Sequence, residues 1–207
     1  MTYTYLALGD SYTIGEQVPV FENFPYQTIQ LLRKQFLGVH QFHPPEIVAK
    51  TGFTTDELNE QISKTVLQSE YDFVSLLIGV NNQYRGRPVD NFAIEFEELL
   101  KQAIAFAGGN HKSVFVLGIP DWGATPFADG KDRQKIAGEI DKYNKCCENI
   151  SNKYECSFIE ITYSQREDGL NPDYLAADQL HPSGKEYAKW SILLSKKISE
   201  KIISCFP

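Results

Sequence analysis

Short apolar runs alternate with longer amphipathic stretches along this chain. Residues 3–8, 46–49, 73–78, 114–119 and 157–161 are predominantly apolar and β-prone, and each stops at a turn-forming or polar residue. They predict five strands, with 73–78 and 114–119 reading as buried ones. Between them apolar residues recur at steps of three and four, the period of one helix face. Phe92, Phe96, Leu99, Leu100, Ala103 and Ile104 form one such face. Ile136, Ile140, Tyr143, Cys147 and Ile150 form a second, and Tyr187, Trp190, Leu194, Ile198 and Ile202 a third. Residues 22–36 and 55–67 are further helical candidates. Thr54 or Thr55 suits the cap of the latter, with Asp56 and Glu57 in its first turn, where the helix dipole favours negative charge.

Strands alternating with helices predict a parallel sheet covered on both faces, with right-handed crossovers. No repeat, linker or low-complexity segment interrupts the 207 residues, so one domain is expected over 1–207. In open α/β sheets ligands bind beyond the carboxyl ends of the strands. The residues just after each strand are therefore where chemistry is expected.

Gly9-Asp10-Ser11 follows the first strand, placing a serine where its own N–H faces open space. Gly52 follows the second, at a junction whose backbone N–H groups are free to meet an anion. Gly79-Val80-Asn81-Asn82 follows the third; the Asn81 amide is a donor of the kind that stabilises an oxyanion. Asp178-Gln179-Leu180-His181 precedes the last helix, and an aspartate three residues before a histidine can fold back to orient the ring. Singly, each motif is ordinary turn chemistry. Together they supply a nucleophile (Ser11), a base (His181), its orienter (Asp178) and oxyanion donors, the set needed for acyl transfer.

These residues resemble the SGNH/GDSL hydrolase family over nearly the whole chain. Gly9-Asp10-Ser11 is similar to its first block, with Tyr12 where the name-giving motif has leucine. Gly52 is similar to its second-block glycine, Gly79-x-Asn81 to its third block, and Asp178-x-x-His181 to its fifth. The resemblance implies a flavodoxin-like three-layer α/β/α fold with a five-stranded parallel sheet in the order 2-1-3-4-5. It implies a serine esterase acting on carboxylic esters or thioesters without metal or cofactor. It also implies an oxyanion hole built from the Ser11 N–H, the Gly52 N–H and the Asn81 side chain. One departure stands out: Asn82 replaces the family's usual aspartate, and a local structural effect is expected from it.

Composition narrows the alternatives. Net charge is −7 and no Lys/Arg-rich run occurs, which argues against nucleic acid as a partner. No stretch reaches the ~18 apolar residues of a membrane span, and no basic, apolar leader opens the chain, so a cytoplasmic enzyme meeting a small-molecule ester is expected. Cys146, Cys147, Cys156 and Cys205 have neither zinc nor disulfide-scaffold spacing and read as buried or half-buried thiols. His40 and His43 flank a segment followed by Pro44-Pro45, a loop rather than a metal site. Trp122 and Phe127, after the fourth strand, are candidates to touch an acyl or sugar group, and Arg85 and Arg87 either meet an anionic group or face solvent. A carbohydrate O-deacetylase, a non-catalytic binding module on the same fold and a flavin binder are the competing readings. The last is disfavoured because Asp10 would repel a phosphate.

Overall fold

A computed structural model describes residues 1–204. In chain order its elements are β1 (Thr2–Tyr3), β2 (Tyr5–Gly9), α1 (Ser11–Ile14), α2 (Phe24–Gln35), β3 (Gln41–Phe42), β4 (Glu46–Ala49), α3 (Thr55–Lys64), β5 (Phe73–Leu77), α4 (Val80–Tyr84), α5 (Val89–Phe106), β6 (Val114–Leu117), α6 (Arg133–Lys153), β7 (Ser157–Ile159), α7 (Thr162–Asp168) and α8 (Gly184–Ser204). Five strands form one parallel sheet ordered β4-β2-β5-β6-β7, which is the expected 2-1-3-4-5 arrangement. Helix α2 packs on α8, and α5 packs on α3 and α6. Right-handed crossovers put these two sets on opposite faces.

The apolar faces read from the sequence are the buried ones. Tyr187, Trp190, Leu194, Ile198 and Ile202 of α8 all face inward, with Trp190 meeting Tyr187 edge-on at 5.1 Å and Phe24 of α2 at 6.2 Å. On the other side Phe92, Phe96, Leu99, Leu100 and Ala103 of α5 are buried, with Ile104 half-buried. Each large apolar side chain removed from water contributes about 1.5–3 kcal/mol, and these contacts fix which helix covers which face.

The expected first strand, 3–8, is split. The Asp72 carboxylate accepts from both the backbone N–H (2.7 Å) and the hydroxyl (2.9 Å) of Thr4, so that N–H is diverted from the ladder while the Thr4 carbonyl still accepts the Phe73 N–H at 3.2 Å. Residues before it form β1, which pairs in parallel with β3. The expected 40–43 loop thus carries a two-residue strand. The expected helix 55–67 ends at Lys64, and a short helix, α4, occupies the segment that reads as a turn after β5.

Register places the chemistry. Gly9, the last residue of β2, lies between Ala49 and Leu77, the last residues of β4 and β5. The segments that follow these three central strands therefore emerge side by side at one rim of the sheet. Gly79 makes the exit from β5 possible. Its φ is +129°, and a Cβ there would lie 2.7 Å from Ile119 and 2.8 Å from the Phe92 ring, so only glycine fits. Among the described residues no helix is long and apolar enough to cross a membrane.

Candidate active site

Ser11 is the first residue of α1, directly beyond β2. Asp10 caps that helix: its Oδ1 accepts the Tyr12 N–H at 3.0 Å, and its carbonyl accepts the N–H groups of Thr13 and Ile14 at 3.0 and 3.2 Å. The Ser11 N–H is left over, as the first N–H of a helix is. The Asp10 carboxyl is fully buried and its second oxygen has no protein partner. Burial pushes it up to about 7, against the hydrogen bond from Tyr12.

His181 reaches Ser11 from a loop at the head of α8. The loop is pinched shut by an antiparallel bridge between Leu175 and Pro182 and by the Ala176 N–H donating to the His181 carbonyl at 2.8 Å. Inside it, Asp178 Oδ1 accepts the backbone N–H of Leu180 (3.1 Å) and of His181 (3.0 Å). Asp178 Oδ2 lies 2.6 Å from His181 Nδ1, and His181 Nε2 lies 3.0 Å from Ser11 Oγ. Ser11 and His181 are nearly buried, while Asp178 sits at the edge of the protein. Burial would raise the Asp178 carboxyl, but the hydrogen bonds from the His181 ring and the two backbone N–H groups outweigh it and hold the group below the usual carboxylate range.

Gly52 and Asn81 come from the neighbouring strand exits. Gly52 lies in the loop between β4 and α3 at φ +84°. The loop is tied from α4 and from α3. Asn81 Nδ2 donates one hydrogen to the Phe53 carbonyl at 3.0 Å, and its second amide hydrogen remains available. Asn82 is fully buried; its Oδ1 accepts the Thr55 N–H (3.1 Å) and its Nδ2 donates to the Thr55 hydroxyl (2.7 Å), which in turn bonds Glu95. The expected local effect of Asn82 is therefore a neutral tie between α4 and the start of α3. Thr54 caps α3, its N–H bonded to Glu57 at 2.9 Å.

All five sequence-singled residues meet at one cleft of about 200 Å³, which Ser11, Gly52, Asn81 and His181 line and beside which Asp178 braces the histidine. Val80, Tyr84, Trp122, Phe127 and Leu180 make its wall apolar. Trp122 packs edge-on against Tyr84 at 5.2 Å and Phe127 at 6.0 Å. Its indole N–H donates to Gln83 at 2.8 Å, and Gln83 donates to Glu139 at 2.7 Å, so the ring is fixed from beneath. Trp122 and Phe127 thus lie where the sequence suggested. Tyr84, Gln83 and Leu180 escaped notice, since nothing but the fold brings them here.

Arg85 and Arg87 do not line the cleft. Arg87 pairs with Asp56 at 2.5 Å, and Arg85 bonds the Gly52 carbonyl and Glu57. Cys146 is a half-buried free thiol, and Cys147 and Cys156 are buried ones; Cys205 lies outside the described residues. Among the described residues no group of three or more His, Cys, Asp or Glu side chains is arranged to hold a metal.

The sequence profile of the GDSL-like Lipase/Acylhydrolase family matches residues 7–189. No curated protein sequence matches the chain. Among solved structures, a lipase/acylhydrolase from Enterococcus faecalis superposes with a TM-score of 0.74 at 18% identity, over 96% of both chains. An acetyl xylan esterase (a W215I variant of Axe2) from Geobacillus stearothermophilus gives 0.72 at 17% identity, over 95% of this chain and 94% of that one. The psychrotrophic esterase EstA from Pseudoalteromonas sp. gives 0.69 at 17%, over 97% and 98%. At such identities the structural likeness speaks for the fold, and the profile match over most of the chain speaks for descent. The chain belongs to the GDSL-like lipase/acylhydrolase family and is a serine esterase of that family.

Proposed function

We propose that Ser11, His181 and Asp178 act as a catalytic triad that hydrolyses carboxylic esters of short to medium acyl chains through an acyl-enzyme. The observation that carries this reading is the unbroken chain from Ser11 Oγ through His181 to Asp178, at 3.0 and 2.6 Å. A serine hydroxyl is a weak nucleophile until a base takes its proton. His181 Nε2 is within reach to do so as Oγ attacks the ester carbonyl. The Asp178 carboxylate holds Nδ1–H and stabilises the imidazolium that forms. The developing oxyanion meets the Ser11 N–H, the Gly52 N–H and the free Asn81 amide hydrogen. His181 then protonates the departing alcohol, and water attacks the acyl-Ser11 ester by the same route in reverse.

The lining of the cleft supports the substrate class. A wall of Val80, Tyr84, Trp122, Phe127 and Leu180 favours hydrocarbon over a hydrated sugar ring. The cleft, of about 200 Å³, leaves room for a short acyl chain beside the ester.

The test is hydrolysis of p-nitrophenyl esters of graded chain length by wild type and Ser11→Ala. The account expects activity that rises from acetate to a medium chain, falls beyond it and vanishes in the variant. Equal turnover by both proteins would remove Ser11 from the reaction. An optimum at acetate with rapid loss thereafter would favour the deacetylase reading.

A further inference from the structure

Gly52 poses a physical problem for any oxyanion hole that uses it. Glycine moves easily among backbone conformations, and its φ of +84° here is only one of several it adopts at little cost. A donor that must stay aimed at one point in space needs an external restraint. Gly52 is the third residue of the turn from Lys50 to Phe53, which is closed by a long bond of 3.2 Å from the Phe53 N–H to the Lys50 carbonyl; on its other side the Thr51 hydroxyl bonds Glu16. Ties on the following residues come from Asn81 to Phe53, Glu57 to Thr54 and Asn82 to Thr55. The Gly52 carbonyl, in one peptide unit with that Phe53 N–H, accepts from Arg85 Nη2 at the shorter distance of 2.8 Å.

Arg85 is well placed for that task. It follows α4 immediately and lies four residues after Asn81, so one short helix carries both the oxyanion amide and the Gly52 clamp. Its other nitrogen, Nη1, lies 3.3 Å from both oxygens of Glu57, the residue that caps α3 through the Thr54 N–H. The guanidinium thus joins the middle of the loop to the first turn of α3, and its planar fork sets direction as well as distance. It lies on the surface, so little of the hydrophobic core depends on it.

We propose that Arg85 is a positioning residue for ester hydrolysis: by holding the Gly52–Phe53 peptide through the Gly52 carbonyl it fixes the turn whose central peptide, Thr51–Gly52, points the Gly52 N–H at the developing oxyanion. The inference rests on the reading of Ser11 and Gly52 given above. It assigns Arg85 to the transition state rather than to substrate binding, because its guanidinium does not line the cleft. Loss of the clamp should weaken one oxyanion donor without deleting it, so the effect is about tenfold on kcat, below the roughly 10²–10³ of removing a donor outright. KM should change less than twofold.

The experiment compares Arg85→Ala, Arg85→Lys and Ser11→Ala with wild type on p-nitrophenyl acetate, alongside thermal melting. Inhibition by phenylboronic acid, whose serine adduct places an oxygen in the oxyanion hole, is measured on the same proteins. The expected result is a kcat about tenfold lower for Arg85→Ala, Ki for the boronic acid raised in parallel, unchanged melting and partial recovery in Arg85→Lys, whose ammonium still reaches the carbonyl. A kcat and Ki within twofold of wild type would overturn the proposal. So would a loss confined to KM, or one that tracks a fall in melting temperature with no recovery by lysine. Activity retained in Ser11→Ala would instead sink the reading of the site, while an inert Ser11→Ala beside a normal Arg85→Ala would sink the Arg85 inference alone.

Discussion

Replacing Asp178 by asparagine isolates what the carboxylate does for His181. Its Oδ1 already accepts two backbone N–H groups, from Leu180 at 3.1 Å and His181 at 3.0 Å. In Asp178→Asn the amide oxygen must occupy that side, because an NH2 group there would face two other donors. The NH2 group is then aimed at His181 Nδ1, only 2.6 Å from the present Oδ2 position. Nδ1 has to accept, so the ring proton moves to Nε2, which donates to Ser11 Oγ and can no longer take its proton. A ring locked in the wrong tautomer costs on the order of 10⁴ in kcat, or about 5.5 kcal/mol at 1.36 kcal/mol per tenfold. Asp178→Ala removes the orienting group without imposing that tautomer. Its site is at the protein edge, where water can accept from Nδ1, so alanine should be the milder change by about tenfold. Steady-state kinetics of both variants on p-nitrophenyl acetate at pH 8, with melting curves as a folding control, decide the matter. An asparagine variant within tenfold of wild type, or slower turnover by alanine than by asparagine, would refute the tautomer argument.

Two further predictions concern buried groups around the site. Asp10 has its folded-state value raised to about 7, so its contribution to stability is full below the ordinary carboxylate value near 4 and is lost as pH rises through 7. Asp178 and Asp56, both held below the usual range, run in the opposite sense, losing their contribution as pH falls. Urea unfolding should therefore show Asp10→Asn gaining on wild type by a few kcal/mol between pH 5 and pH 8.5; a difference that does not change with pH would contradict this. Asn82→Asp restores the family's usual residue but exchanges the donor to Thr55 for a second acceptor beside Glu95. It should destabilise by about 1–3 kcal/mol at pH 8, with partial recovery at pH 5 as the new carboxyl protonates; equal urea midpoints at pH 8 would speak against it.

Much of this molecule is written in local pattern. Residues 73–77 and 114–117 sit in central strands and are apolar but for Ser75, so their runs stand out. The faces of α5, α6 and α8 keep helical period because one side of each packs on the sheet. Ser11, Gly52 and Asn81 could be found because an open parallel sheet puts chemistry just past its strand ends. Asp178 and His181 could be found because three residues suffice for the loop to fold back. The break at Thr4 could not, because it depends on Asp72, 68 residues away. Helix α4 has five residues, too few to show a period, so the shared side of Asn81 and Arg85 was hidden. The aromatic wall is likewise a property of the assembled fold: Trp122 owes its position to Gln83, 39 residues earlier. Arg85 read as a surface charge because its acceptor is a backbone carbonyl 33 residues away, which no side-chain pattern records.

The most direct test of the central claim is covalent labelling of the nucleophile. The protein is treated with a fluorophosphonate, a reagent that phosphonylates activated serines, and then examined by intact mass and peptide mapping. The account predicts one adduct per chain, located on Ser11, formed in step with loss of esterase activity and absent from both Ser11→Ala and His181→Ala. Full inactivation with the adduct on any other residue, or equal labelling of Ser11→Ala, would contradict it.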